Sequence, residues 1–350
     1  MKFKQTVGAC LSAALMLATL GNACSAPRPA SIPDDPYARW KRQPNEQIVF
    51  MSRADAPEGE LYRLDKDGKI TRLTANRRHE NHPALSSDGG RVAFTGGEES
   101  DPLSWERYVL DLQTGEESRL TANRVIDAHP DWSPDGTRLV FGSFRDAQGH
   151  PSATADLYVL ALEGHALTQL TDTAWEDNDP EWSPDGSRIA FKSTRHTQQP
   201  GREEIYVMES DGAHPRRLTT THGWQSDHDP SWSPSGEALV FNRFEGSRPW
   251  LDTKNFAEDW QALTPWNIHQ VTVDGHVERL TNSEDAGWGV AVYTADGEQI
   301  LFGKVDWIIG AGGEVIGGHH RLILMERDGS HPRQLLPDNE HTGTLEYFDW

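Results

Sequence analysis

A phenylalanine inside a short apolar run recurs six times, at Phe50, Phe94, Phe141, Phe191, Phe241 and Phe302, with the same companions each time. A period of this length restricts the chain to architectures built from one repeated supersecondary unit. The clearest copy reads NDPEWSPDGSRIAFKSTR from Asn178 to Arg195 and EIYVMESDGAHPRRLT from Glu204 to Thr219. A first strand ends on Trp182, and Ser183-Pro184-Asp185-Gly186 supplies a tight turn, because proline presets the second turn position and glycine tolerates the last. Alternation predicts further strands over RIAF and IYVM, Asp211-Gly212 marks the next hairpin, and RRLT is the fourth strand. The unit is a four-stranded antiparallel meander.

First strands end at Leu85, Trp132, Trp182, Trp232 and Tyr293, with turn glycines at Gly89, Gly136, Gly186, Gly236 and Gly297. Third strands carry Tyr62, Tyr108, Tyr158, Tyr206, His269 and Ile323, and a fourth-strand leucine follows each by 11 or 12 residues. Six copies of the later strands thus meet five complete first strands. The missing one is TLEYFDW at the far end, finishing at Trp350 where a first strand finishes. The expected fold is all-β: a six-bladed β-propeller over residues 46–350, closed by the C-terminal strand pairing beside Ile48-Val49-Phe50. Closure removes the sticky edge that strands this short would otherwise expose.

The N-terminus is different in kind. Lys2 and Lys4 precede an apolar stretch from Val7 to Leu20 with small residues after it, the pattern of a secretory signal over residues 1–23. Residues 24–45 read as a linker. Both cysteines, Cys10 and Cys24, lie in this region, so the propeller has no internal disulfide. Cys24 follows the expected cleavage point, where a bacterial lipoprotein carries its lipid. The expected location is the periplasm, with an outer-membrane lipid anchor at Cys24 or as a free protein.

The formal charge is -21, and removing residues 1–23 takes away two lysines and no acid, leaving about -23. Nucleic acid is excluded as a partner, since phosphate neutralisation needs a basic face. Membrane contact is expected only through the lipid. Hydrophobic residues make up 36% of the chain, yet 13 Trp and 11 Phe concentrate apolar area at repeated positions, enough for one core and a monomer.

At WSPDG, IAF, IYVM, DG and RLT the repeats resemble those of TolB-type propellers, the β-propeller part of the periplasmic Tol-Pal envelope system. The resemblance covers about the last 300 residues. Only the signal and about 20 linker residues precede Ile48, without the α/β domain that TolB carries there, so the expectation is TolB-like rather than TolB. The resemblance implies a non-catalytic module that binds an envelope protein or peptide. Related repeats also build oligogalacturonide lyases, whose metal is held by propeller histidines. This sets the alternative of a metal-dependent carbohydrate-active enzyme.

Aligned on the final aromatic of each first strand, Glu80, Asp127, Asp177 and Asp227 stand five residues earlier, and His82, His129, Asp179 and Asp229 three earlier. Strand alternation puts both sets on one face, lining the central channel near one mouth. Blades six and one break the pattern, with Trp288 and Val290, then Leu345 and Tyr347. Two readings stand. Asp or His before proline caps the turn between blades through backbone amides. Alternatively the eight residues hold a divalent cation, with oxygens suiting Ca²⁺ and the mixed His/Asp set suiting Mn²⁺ or Zn²⁺. In the enzyme reading His82 and His129 are the catalytic candidates.

Connections between second and third strands lie on the side where first strands begin, and several are long: 143–155, 194–203, 244–265 and 303–320. They carry Trp250, Trp260 and Trp307, and the fifth-blade insertion ends on Trp266; together with Trp288 and Tyr347 these are candidates for stacking on a sugar or clasping a peptide, so binding of a protein or ligand is expected on this long-loop face around the central channel. A satellite core under the loop is the other reading of these tryptophans. The sequence has no Gly-x-Ser-x-Gly, phosphate loop or His-Glu-x-x-His.

Overall fold

The computed structural model describes residues 47–53, 58–98, 100–146, 148–198, 201–246, 266–282, 286–309, 315–336 and 345–349. The expected signal and linker, Cys24, Trp250 and Trp260 lie outside the described residues, as do the side chains of Trp288, Trp307 and Tyr347.

The strands form six antiparallel sheets of four. Their innermost strands are Leu345–Asp349, His79–Leu85, Asp127–Trp132, Asp177–Trp182, Ser226–Trp232 and Ala286–Tyr293, belonging to blades one to six. In blade one the sheet order places Leu345–Asp349 beside Gln47–Ser52, with Phe348 opposite Phe50 and Asp349 opposite Val49. The last strand therefore joins the first blade.

Each blade repeats one cross-strand pair, set by register: Phe50 stacks on Tyr62 at 5.7 Å, Phe94 on Tyr108 at 5.5 Å and Phe241 on His269 at 5.6 Å. Such pairs are the unit of sheet stabilisation. The core fills the wedges between blades. Val140, Leu157 and Val159 of blade three pack against Trp182, Ile189 and Phe191 of blade four. Leu301, Leu322 and Leu324 of blade six pack against Ile48, Phe50 and Tyr62 of blade one, so the closing seam is as apolar as the others.

The short turns do two jobs. Ser133 Oγ donates to Asp135 at 2.6 Å while Gly136 takes φ 65°, where a β-carbon would be strained. An arginine that follows one turn reaches the next blade: Arg91 lies over Trp132 at 4.5 Å, Arg138 over Trp182 at 4.7 Å and Arg188 over Trp232 at 4.6 Å. Arg91 and Arg188 also donate to the carbonyls of Gly136 and Gly236. The neighbouring blades are thus clasped as well as packed.

Two of the connections expected as long loops are extended hairpin strands. Arg138–Arg145 pairs with Pro151–Ala161, and Gln299–Ile309 pairs with Val315–Glu326 with Trp307 opposite Gly318. Backbone pairing continues past the apolar core because each strand supplies the other's hydrogen bonds.

Candidate functional site

Each inner strand from blades two to six carries a register shift: between Asn81 and Ala84, Ala128 and Asp131, Asn178 and Glu181, His228 and Ser231, and Trp288 and Ala291. In blades two to five the first residue of the shift is left-handed, at φ 47° for His82, 53° for His129, 50° for Asp179 and 49° for Asp229. Aspartate and asparagine tolerate this region and histidine is enriched in it. The next residue is Pro83, Pro130, Pro180 or Pro230, which has no N–H to withdraw from the ladder. Counted from the final aromatic, blade six has Val290 at this place, and neither it nor Gly289 before it takes a left-handed angle.

This bulge breaks the alternation on which the eight-residue ring was expected. The four left-handed residues line an axial cavity of about 120 Å³ with the residues that follow them and with Val290 and Val292. The cavity thus runs from these residues along the second halves of the inner strands, toward the Ser-Pro-Asp-Gly turns. None of Glu80, Asp127, Asp177 and Asp227 lines it. They are fully buried and clasped by arginines: Glu80 by Arg78 at 3.0 Å, Asp127 by Arg145 at 2.6 Å, Asp177 by Arg195 at 2.7 Å and Asp227 by both Nε and Nη2 of Arg243 at 2.6 and 2.8 Å. One set of four is neutralised inside its blades; the other converges on the axis.

The converging set is in mutual contact. The rings of His82 and His129 lie 3.9 Å apart, and His129 Nδ1 is 3.0 Å from Asp179 Oδ1. Donor atoms of His129, Asp179 and Asp229 all fall within 4.8 Å of one another. Lys192 Nζ lies 2.8 Å from Asp179 Oδ2 and donates to His228 Nδ1 at 3.2 Å, and Asn242 Nδ2 donates to Asp229 Oδ2 at 3.2 Å. Since His228 accepts from Lys192, its Nε2–H is the donor to Ser226 Oγ at 2.9 Å, and that hydroxyl donates to Glu203.

On the opposite flank, His79 Nδ1 donates to the Glu58 carbonyl at 2.7 Å. Asn81 Nδ2 then donates to His79 Nε2 at 3.0 Å, and Asn81 Oδ1 accepts from His82 Nδ1 at 2.9 Å. This polarity fixes the tautomer of His82 and leaves the lone pair on Nε2.

Residues 45–269 match the TolB beta propeller domain family. The chain belongs to the TolB β-propeller family. Among solved structures, TolB from Acinetobacter baumannii is 19% identical over 86% of this chain, with a TM-score of 0.62. The matched region spans 65% of that protein. An oligogalacturonate lyase from Vibrio parahaemolyticus is 16% identical over 83% of this chain and 74% of its own, with a TM-score of 0.54. An oligogalacturonate lyase in complex with manganese is 18% identical over 83% of this chain and 73% of its own, also with a TM-score of 0.54. At these identities the likeness is one of fold. No curated protein matches the sequence.

Within this TolB-type ring the electrostatics follow from burial and charge. Burial opposes ionisation of Asp179, yet His129 and Lys192 outweigh it and hold the carboxyl well below its ordinary range. Burial and the Asp179 charge raise Asp229 to about 6. Burial, helped by His129, keeps His82 well below its usual value, so its imidazole is neutral, and burial with Lys192 does the same for His228. Burial raises Glu203, and it raises Glu176 to about 7. The cavity therefore presents a charged carboxylate, a second carboxyl that ionises near neutrality and imidazole nitrogens: ligand chemistry for a cation, and acid–base capacity.

Of the residues expected at the channel mouth, the structure brings together His82, His129, Asp179 and Asp229; Lys192, His228 and Asn81, which the repeat pattern does not single out, lie in contact with them. The available signal was Lys192 itself, a charge inside the run RIAFKS at the slot after the repeated phenylalanine, where other blades have Met51, Thr95, Gly142, Asn242 and Gly303. Trp266, expected in a binding loop, begins the strand Trp266–Thr272 and packs at 5.4 Å from Phe244 and edge-on to His228 at 5.1 Å.

Proposed function

We propose that this TolB-family propeller is an exported, non-catalytic binding module of the bacterial cell envelope, with its recognition centre at the axial channel. The observation that supports it is the convergence of polar heads from four blades, His82, His129, Asp179 and Asp229, on one small axial cavity lined also by prolines and valines. At about 120 Å³ the cavity is well below the roughly 300 to 1,000 Å³ that encloses a small-molecule ligand. It accommodates an ion or one functional group of a larger partner whose remainder rests on the propeller face.

Site-specific photocrosslinking in the native envelope tests the reading. A crosslinker at Ser235, on an exposed turn beside the channel, or at Trp224, 41% exposed at the opposite end, is expected to give one discrete protein adduct. Thr114, exposed on the outer edge, is expected to give none. Absence of an adduct from both channel positions overturns the proposal. So does release of unsaturated uronides from oligogalacturonate by the purified chain with Mn²⁺, if Asp179→Asn abolishes it.

A further inference from the structure

We propose that His129 Nδ1, Asp179 Oδ1 and a carboxylate oxygen of Asp229 hold one divalent transition cation, Mn²⁺ or Zn²⁺, at the axis. This deepens the reading of the channel as the binding centre by naming the ion there.

Proximity within 4.8 Å is the first support, and it alone is insufficient for a site. The second is independent. His129 Nδ1 and Asp179 Oδ1 are both buried from solvent, and neither has a hydrogen-bond partner among the described residues, although they face each other at 3.0 Å. The Asp179 side chain is only 4% exposed. Two buried ligand atoms that face each other in this way suit a shared positive centre. Bonds of about 2.1 Å at right angles give a ligand separation of about 3.0 Å, the spacing found here.

The outer contacts suit ligands held in place for a metal. Lys192 occupies Asp179 Oδ2 and so turns Oδ1 toward His129, while Asn242 orients Asp229. His82, with Nδ1 committed to Asn81, stacks on His129 from the adjoining blade. Within the cluster two carboxylates face the single ammonium of Lys192, and the whole chain carries -21, so a cation is drawn inward. Imidazole nitrogen beside carboxylate oxygen favours Mn²⁺ or Zn²⁺ over Ca²⁺, which takes six to eight oxygen ligands. The rest of the cavity is open to water or to one group of a partner.

The test uses the chain purified without a histidine tag, stripped with chelator and titrated separately with MnCl₂, ZnCl₂ and CaCl₂. Mn²⁺ occupancy is read by electron paramagnetic resonance and the thermal midpoint by circular dichroism. The expected result is one equivalent of Mn²⁺ or Zn²⁺ per chain, a raised midpoint with either, and no rise with Ca²⁺. His129→Gln and Asp229→Asn should each weaken binding by about tenfold or more. His150→Ala, at an exposed position outside the cluster, should bind as the parent does.

Failure of the parent chain to bind Mn²⁺ or Zn²⁺, response to Ca²⁺ alone, or undiminished binding in both cluster variants overturns the proposal. The midpoint of each stripped variant establishes that it is folded. If one variant does not fold, the other and the parent stoichiometry decide. Photocrosslinking from Ser235 or Trp224 is independent of the metal, so loss of this proposal leaves the binding-module reading standing, and the converse.

Discussion

A β-carbon on Gly142 would stand 2.0 Å from Oδ1 of Asn178 and 2.9 Å from its Cγ. Gly142 lies on the second strand of blade three and Asn178 on the inner strand of blade four, next to Asp179, so the Asn178 side chain rests directly against the Gly142 backbone. Gly142→Ala is expected to force the buried Asn178 from its place, costing about 1 to 3 kcal/mol. The thermal midpoint should fall by about 2 to 4 °C per kcal/mol. An unchanged midpoint would show that Asn178 can move freely.

Removing residues 345–350 deletes the strand paired with Gln47–Ser52 and leaves that strand as an open edge. The truncated chain is expected to unfold at least about 5 °C lower and to self-associate, because an uncovered apolar edge templates pairing. Light scattering together with a thermal scan reads both effects.

Arg195 and Asp177 form a pair at 2.7 Å in which the carboxylate is fully buried and the arginine side chain is 16% exposed. Arg195→Met leaves a buried charge without its partner and should cost about 3 to 5 kcal/mol in urea unfolding. Adding Asp177→Asn to that variant should recover part of the loss. If the double variant were the less stable of the two, the pair would not be the source of the cost.

Burial raises Asp156 to about 6 from 3.8, although it accepts from Thr171 Oγ1 at 3.0 Å and from the Thr173 amide at 3.1 Å. The folded state holds this proton more tightly than the unfolded chain does. Ionisation therefore costs stability, beginning as pH rises above 3.8 and complete above about 6. Asp156→Asn keeps both acceptor contacts and removes the charge, as Asn267 does in blade five, where it accepts from Thr281. The variant should match the parent near pH 4 and exceed it by about 1 to 3 kcal/mol at pH 8. Denaturant unfolding at the two pH values checks the sign.

The blades were readable because their signals are local and repeated: glycines such as Gly136 and Gly186 at one offset, and aromatic pairs such as Phe191 with Tyr206 in one register. Closure was readable because the count of first strands came out one short. The axial set was half readable. His129 and Asp179 announce themselves before proline, but Asp127 and Asp177 were grouped with them by an alternation that the left-handed bulge interrupts. Whether a carboxylate meets an arginine or the axis depends on that single backbone angle, which alternation does not encode. Lys192 was obscured for another reason: its neighbours Ile189 and Phe191 mark a core strand, and partners on neighbouring strands, Asp179 first among them and His228 beside it, make a charge tolerable there.

The left-handed residues ahead of Pro83, Pro130, Pro180 and Pro230 separate what the main chain does from what the side chain offers. Histidine, aspartate, asparagine and glycine all accept that backbone angle, so each station can trade one functional head for another without its sheet being rebuilt. A scaffold of one outline can in this way be fitted with an acidic, an imidazole-rich or an uncharged hub through four separate exchanges.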